Sequence, residues 1–317
     1  MSTPTLTRAA ATRAWTASTL DHPSAWYYSL PASSVNALDQ MVRELRDNPR
    51  PLTEVSIPVE HTATLREGLC PALEELEHGR GYVIVRGWDV SAYSEDEAKA
   101  TYWLVGQALG KPFEQNVQGT ILYDVRDTGR SVSEGVRFSV TNAESSFHTD
   151  NSFGEEVLDY VGLLCLKIAR SGGVNQMVSA YAAYEILAND YPEELEVLSR
   201  PFHVDRRGGV KEGQAPTARI PVLEMRDGEL LVRYLRYWIH VGHDKAGEPL
   251  TPGQIRALDT LDAVLNRPEL RAEFALAPGD MFFLNNRWTL HNRTAFEDYE
   301  ELERRRHLVR LWLQADQ

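Results

Sequence analysis

The chain is short of cysteine, of lysine and of long apolar runs, and each shortage excludes a class of protein. Its 317 residues include two cysteines, too few for a disulfide framework or a multi-cysteine metal site. No segment reaches the roughly 18 to 20 uninterrupted apolar residues of a membrane-spanning helix. Acidic side chains outnumber basic ones by 46 to 33, and the net charge of −13 argues against a general affinity for nucleic acid. We therefore expect a reduced, cytoplasmic protein that binds neither membranes nor nucleic acid.

Several common catalytic signatures are also missing. No Gly-x-Gly-x-x-Gly follows a strand, and the chain has no phosphate-binding loop, no His-Glu-x-x-His and no Gly-x-Ser-x-Gly. These absences disfavour a nicotinamide dehydrogenase, a P-loop kinase, a zincin metalloprotease and an α/β-hydrolase. Five of the basic residues are lysine and the rest are arginine, so a single arginine is informative only through its spacing.

The first third of the chain is predicted to be mostly helical. Residues 1–20 contain no acid, and we expect a mobile N-terminal tail there, with a transit peptide as the alternative. Apolar residues then recur at helical spacing in three segments around a short buried strand. The predicted helices cover residues 34–48, 62–77 and 94–109, and the strand covers residues 82–85.

The remainder is predicted to be mainly β. From about residue 118, short β-like runs alternate with turns, and helices are predicted at 179–189 and 252–265. The Arg-Asp-Gly-Glu run at 226–229 is typical of a hairpin turn. This order predicts a mainly β fold with helical additions (α+β), in which a helical cover over about 34–110 lies on a sandwich or barrel core over about 118–315.

One His-x-Asp pair draws attention because of its geometry. On an extended strand, residues two apart point to the same face, so His148 and Asp150 can reach one metal ion. One more imidazole would complete the two-His-one-carboxylate face of a non-haem Fe(II) oxygenase. His291, shortly after the predicted strand 280–284, is the candidate for that third ligand. Since ligands this far apart would have to meet, we expect a single domain over residues 21–317.

Two arginines follow at the predicted final strand, residues 307–314. Strand alternation places Arg306 and Arg310 on one face, with apolar residues on the other. Two guanidinium groups on the barrel-facing side of an apolar strand are costly unless anions meet them. A dicarboxylate would meet them with bidentate geometry.

Taken together, these segments resemble the TauD/TfdA (taurine dioxygenase-like) branch of the Fe(II)/2-oxoglutarate oxygenases, which is related to clavaminate synthase. The resemblance covers about residues 80–315 and implies a double-stranded β-helix (jelly-roll, cupin-like) core. The matching segments are Phe-His-Thr-Asp (147–150), Arg-Ser-Gly-Gly (170–173), Ala-Ala-Tyr-Glu (182–185), Asn-Asn-Arg-x3-His (285–291) and Arg-x3-Arg (306–310).

The resemblance also implies a role for individual residues. It implies that His148, Asp150 and His291 are the iron ligands and that Arg306 binds the distal carboxylate of 2-oxoglutarate. Arg310 is expected near the other end of this cosubstrate or near an anionic substrate. Asn175 stands where the family usually has Thr or Ser, and its amide can still donate a hydrogen bond to 2-oxoglutarate.

The implied function is that of a dioxygenase that uses Fe(II), 2-oxoglutarate and O2 and releases succinate and CO2. We expect hydroxylation of an unactivated C–H bond in a small, amino-acid-like or carboxylate molecule. Desaturation, ring closure or epimerisation on the same machinery is the first alternative, and a non-catalytic jelly-roll binding protein is the second. Asp150 retains the carboxylate that halogenases of this superfamily replace, which disfavours halogenation.

Tyr237 and Trp238, in the aromatic and basic segment 233–238, are candidate substrate-binding residues, and Arg310 on the predicted final strand is a third. We expect His240 and His243 to lie in a turn near the rim of the pocket, and residues 120–146 to form a lid. Members of the family commonly form homodimers or homotetramers, so the resemblance implies a homo-oligomer.

Overall fold

The computed structural model describes residues 12–116, 118–129, 140–154, 156–207 and 213–316. Within these ranges, three long helices precede the main body of strands, as predicted, and four more follow among them. The helices are α1 (Ala32–Asp47), α2 (Val59–Glu77), α3 (Glu95–Leu109), α4 (Ala180–Asp190), α5 (Pro192–Leu198), α6 (Arg236–Ala246) and α7 (Pro252–Leu265). Among the described residues, no helix has the length and apolar character to cross a bilayer.

The larger of two facing sheets has seven strands. The strands are β1 (Tyr27–Ser29), β2 (Tyr82–Arg86), β3 (Lys111–Phe113), β4 (Leu122–Val125), β5 (Tyr160–Lys167), β13 (Met281–Asn285) and β16 (His307–Gln314). Their order in the sheet is β1, β2, β13, β5, β16 and β3, with β4 also paired to β16. The predicted final strand is confirmed at both ends.

Strand alternation divides the side chains of this sheet between two cores. One face, which includes Val83, Phe283 and Leu311, packs against α1, α2 and α3. The opposite face, which includes Ile84 and Leu308, packs against the second sheet. The helical cover therefore lies on the outside of the large sheet, and the space between the sheets is left for the site.

The smaller sheet closes the jelly roll. It consists, in spatial order, of β12 (Ala272–Phe274), β7 (Asn175–Ser179) and β14 (Thr289–Arg293). Two-stranded pairs complete the β structure: β6 (Ser171–Gly172) with β15 (Phe296–Glu297), β8 (Pro201–Asp205) with β9 (Thr217–Pro221), and β10 (Leu223–Arg226) with β11 (Glu229–Val232). The predicted hairpin is confirmed, since Arg226 pairs with Glu229 and both Asp227 and Gly228 have positive φ.

The structure differs from two expectations. Residues 12–20, part of the expected mobile tail, pack against the body: Trp15 is 4% exposed, and its indole donates a hydrogen bond to the Arg80 carbonyl. Residues 1–11 lie outside the described residues. His240 and His243 lie on helix α6 rather than in a turn, and Gly242 between them lets α6 approach β8, because a Cβ there would meet the His203 carbonyl oxygen at 2.4 Å.

Candidate active site

Three side chains converge between the two sheets. One ligand atom each from His148, Asp150 and His291 lies within 4.8 Å of the others, and this is the one such group found in the described part of the chain. A cavity of about 140 Å³ opens onto them. The structure thus brings together residues that are far apart in the sequence, as the ligand spacing predicts.

The backbone fixes this convergence. His148 and His291 form an antiparallel bridge in which each backbone N–H donates to the other's carbonyl across 3.0 Å. The side chain of Asn286, buried at the end of β13, accepts from the Asp150 N–H at 2.8 Å and donates to the Asp150 carbonyl at 3.0 Å. Thr149 between the two ligands faces away and exchanges hydrogen bonds with the backbone of Tyr234. Each ligand therefore has its main chain anchored.

The histidines are arranged to be neutral donors of lone pairs. His148 Nδ1 lies 2.8 Å from the Ser146 carbonyl oxygen, and a carbonyl can only accept, so this nitrogen holds the proton. Its Nε2 faces Asp150 Oδ1 at 3.7 Å. Burial lowers the pKa of His148. Burial, and next the repulsion that a protonated His148 would exert, lower the pKa of His291 to about 3. Both imidazoles are neutral near pH 7, which is the form that binds a metal ion.

Asp150 is held as an oriented carboxylate. Its Oδ2 accepts a hydrogen bond from the indole N–H of Trp312 at 2.8 Å and lies 3.0 Å from Nη1 of Arg310. Burial by itself would raise the pKa of Asp150, but the nearby Arg310, the two histidines and the Trp312 hydrogen bond bring it down to about 2. Oδ1 is left facing the histidines.

Arg306 precedes β16 and lines the same cavity. Only 6% of its surface is exposed, and its guanidinium carbon lies 5.0 Å from the centroid of the Phe296 ring. Burial lowers the pKa of Arg306 to about 10, so it remains a cation at neutral pH. No side-chain ion pair neutralises it among the described residues. A buried cation in this state needs an anion, which a bound dicarboxylate supplies.

The other predicted residues are divided between the cavity and its surroundings. Asn175, on β7, and Trp238, on α6, line the cavity. Arg310 also lines it, but its charge is turned to Asp150 and its Nε donates to Gln115 Oε1 at 2.7 Å. Tyr237 is 39% exposed, packs edge-on against Trp238 and is not among the residues that line the cavity. Of the expected lid, residues 130–139 lie outside the described residues.

The sequence reasoning missed four residues of this site. Gln115 holds Arg310, Trp312 and Asn286 hold Asp150, and Arg293 lines the cavity. The alternation of side chains along a strand could have identified two of these residues. Trp312 lies two residues after Arg310 and Arg293 two residues after His291, on the cavity-facing side of their strands.

The residues present fit an Fe(II) ion. Two neutral imidazoles and one carboxylate form the donor set of the facial triad, which leaves coordination positions on one side. Nδ1 of His291 is buried and has no hydrogen-bond partner in the described ranges, which leaves the tautomer of this ring unrestrained by the protein. The contacts of His148 and Asp150 to Ser146, Trp312 and Arg310 are the outer partners that orient metal ligands.

Comparison with known proteins points in the same direction. The model of the family described as "Taurine catabolism dioxygenase TauD, TfdA family" matches residues 32–312. FR-33289 synthase of Streptomyces rubellomurinus is 31% identical over 270 residues, which are 84% of this chain and 77% of that protein. A uridine-5'-phosphate dioxygenase of an Amycolatopsis species is 31% identical over 54% of this chain and 61% of that protein.

Solved structures share the fold. The non-heme iron oxygenase OrfP, in complex with Fe and alpha-ketoglutaric acid, superposes with a TM-score of 0.68 at 19% identity, covering 92% of this chain and 94% of that chain. Asparagine oxygenase in complex with Fe(II), 3-hydroxyasparagine and succinate has a TM-score of 0.66 at 19% identity, covering 92% and 93%. The match over residues 32–312 shows that the chain belongs to the TauD/TfdA family of dioxygenases, which depend on Fe(II), 2-oxoglutarate and O2.

Proposed function

We propose that this enzyme binds Fe(II) through His148, Asp150 and His291 and hydroxylates an unactivated C–H bond of a small, amino-acid-like or carboxylate molecule. The observation that carries the proposal is the convergence of these three side chains in the wall of a cavity that the buried cation Arg306 also lines. When bound, Fe(II) and 2-oxoglutarate together activate O2 and form succinate and CO2.

The chain's own part is to bind, orient and shield. Arg306 and Asn175 would hold the distal carboxylate of 2-oxoglutarate, and the apolar side chains of Val161, Leu163 and Leu308 line the same cavity. Apolar walls exclude water from the reacting atoms and strengthen the ionic contacts. Arg310 and Trp312 would keep Asp150 ionised and pointed at the metal.

The substrate would enter through a second, more polar cavity. This cavity of about 680 Å³ shares Asn151, Phe153, Arg207 and Trp312 with the first one. Its wall combines amide, acidic and basic side chains, including Gln118, Glu156 and Lys111. Such a lining suits a zwitterionic or amino-acid-like molecule better than an apolar one. Two neighbours in fold support the same class of substrate. Asparagine oxygenase is in complex with 3-hydroxyasparagine, and OrfP is in complex with hydroxy-L-arginine.

The test is aerobic turnover with Fe(II), 2-oxoglutarate and a panel of amino acids and small carboxylates. Mass spectrometry would follow each compound for the gain of one oxygen, and succinate would be quantified in the same samples. We expect one compound to gain oxygen in step with succinate, and Asp150→Ala to abolish both. The loss of two hydrogens without oxygen gain would instead identify desaturation or ring closure, and an absence of succinate with every compound would contradict the proposal.

A further inference from the structure

Arg293 is a second cavity-lining cation beside Arg306, and the roles described so far leave it unassigned. It lies on β14 two residues after His291, on the same face of the strand, and lines the same cavity. Its guanidinium carbon lies 4.6 Å from the centroid of the Phe296 ring, against which Arg306 also rests. Two guanidinium groups that line the cavity therefore pack against one aromatic ring.

The side-chain hydrogen bonds of Arg293 to the described part of the chain involve only one end of its guanidinium group. Nη2 donates to the carbonyl oxygen of Ala143 at 2.5 Å and of Thr141 at 3.4 Å. Nη1 is buried and has no hydrogen-bond partner in the described part of the chain. Buried N–H groups are nearly always paired, and a charged one without an acceptor is especially unfavourable. An anion bound in the cavity would satisfy this end.

The position of Arg293 along its strand matches the length of 2-oxoglutarate. A strand advances by about 3.4 Å per residue, so Arg293 lies about 7 Å beyond the proposed iron ligand His291. A five-carbon dicarboxylate held at the metal by its 2-oxo-acid end would extend its other carboxylate over a similar distance. Directly across the sheet, Arg293 is paired with Asn175, which also lines the cavity.

We propose that Arg293 is a second guanidinium ligand of the distal carboxylate of 2-oxoglutarate, beside Arg306 and Asn175. The inference rests on the proposed function, since it requires 2-oxoglutarate to occupy this cavity. In this arrangement the Arg293 guanidinium has two contacts. Nη2 donates to the segment before His148, and the opposite end of the guanidinium contacts the cosubstrate. Arg293 is thus a positioning residue for the cosubstrate.

The experiment compares two ligands that differ at one end. Anaerobic Fe(II)-loaded protein is titrated with 2-oxoglutarate and with 2-oxopentanoate, which has the same five-carbon chain without the distal carboxylate. Binding is read from the visible charge-transfer band and from calorimetry. Arg293→Gln should weaken the binding of 2-oxoglutarate by about 10- to 100-fold, the usual range for a lost charge-assisted hydrogen bond, and leave 2-oxopentanoate unchanged.

Two further variants make the test decisive. Arg293→Lys keeps the charge and should recover part of the preference for 2-oxoglutarate, which also keeps the test valid if the Gln variant folds poorly. Arg226→Gln, on the exposed hairpin, is the matched control and should bind both ligands like the wild type. Melting temperatures of all variants are measured alongside.

The outcomes separate this inference from the proposed function. Unchanged binding of 2-oxoglutarate by Arg293→Gln, while the wild type binds it, would overturn the inference alone. Equal weakening of both ligands would also overturn it, because the effect would then come from the segment 141–143 rather than from the carboxylate. A wild-type protein that binds Fe(II) but not 2-oxoglutarate would overturn both.

Discussion

The indole nitrogen of Trp312 donates a hydrogen bond to Oδ2 of Asp150 across 2.8 Å. Arg310 reaches the same oxygen at 3.0 Å, so Oδ2 is fully engaged and Oδ1 is the oxygen left for a metal ion. Trp312 and Arg310 lie two residues apart on β16, on the face turned toward the cavity. One strand of the large sheet thus orients a ligand that comes from a loop.

This relationship predicts that Trp312→Phe weakens iron binding while the fold is kept. Loss of such an outer partner typically lowers metal affinity by 10- to 100-fold. We expect the dissociation constant for Fe(II), measured by competition with a chelator, to rise by about 10-fold or more. Trp103→Phe is the matched control, because its indole is also buried and donates to a backbone carbonyl, that of Val55. Equal iron affinity in both variants would contradict the role of Trp312.

Asn286→Ala should destabilise the protein. The amide of Asn286 is buried and forms three hydrogen bonds, to the N–H and carbonyl of Asp150 and to the carbonyl of Leu158. Removing it leaves these backbone groups without partners, at a cost of about 1–3 kcal/mol. Chemical denaturation of the metal-free protein would measure this loss. Asn286→Asp retains an acceptor for the Asp150 N–H but loses the two donors. A stability of Asn286→Ala equal to that of the wild type would refute the anchoring role.

Glu77 should stabilise the fold in a pH-dependent way. Burial would raise its pKa, but hydrogen bonds from Arg287 and Tyr160 outweigh this effect and lower the pKa below the ordinary value of 4.5. Because the folded-state pKa is depressed, the stabilisation is present above pH 4.5 and is lost as the pH falls through the folded value. Glu77→Gln should therefore lower the melting temperature at pH 7, and the gap to the wild type should narrow below pH 4.

The control for Glu77 is a neighbouring acid on the same helix. Glu67 is exposed on α2, and Glu67→Gln should leave the melting temperature nearly unchanged at both pH values. A gap between Glu77→Gln and the wild type that does not narrow below pH 4 would show that the ionised carboxylate is not the stabilising form.

Substitution of Trp15 tests whether the N-terminal segment is mobile or packed against the body. The ring lies edge-on to Tyr82, with centroids 5.6 Å apart, and is almost fully buried. Truncation of a large buried aromatic side chain costs about 3–5 kcal/mol, so Trp15→Ala should lower the free energy of unfolding by an amount of this order. Denaturation curves of the two proteins would settle the point, and coincident curves would favour the mobile tail that the composition predicts.

The sequence predicts best those elements whose local signals agree with their packing. Helix α3 begins where Ser94 and Glu97 form a capping box, and from Leu308 to Leu313 the apolar side chains of β16 alternate between the two cores. The hairpin at Asp227 and Gly228 follows the same rule.

The smaller sheet was harder to predict because several of its buried positions are polar. On β7 and β14, Asn292 donates to Gln176 Oε1 at 2.9 Å, and Gln176 donates in turn to Glu273 on β12. Because these side chains form hydrogen bonds with one another across strands, polar positions can be buried here. The segments therefore lack the apolar alternation that predicts a strand. Helix α6 was not predicted for another reason. Gly242 is typical of a turn, but here it allows the helix to pack closely on β8.

The residues of the site also fall into two groups, those that the sequence predicts and those that it does not. Motif order and spacing lead to His148, Asp150, His291 and Arg306 without coordinates. The partners that orient them, such as Asn286 and Trp312, are recognised only when three-dimensional distances are known, because nothing local distinguishes a buried amide that holds a ligand's backbone from one that caps a turn.

The most direct test of the account is the binding of Fe(II) and 2-oxoglutarate without O2. The wild-type protein should give a weak visible charge-transfer band that saturates with both partners, and His291→Ala should give none. His240→Ala, an exposed histidine on α6, should keep the band and serves as the control. A band that persists unchanged in His291→Ala, or its absence from the wild-type protein, would contradict the assignment of the metal centre.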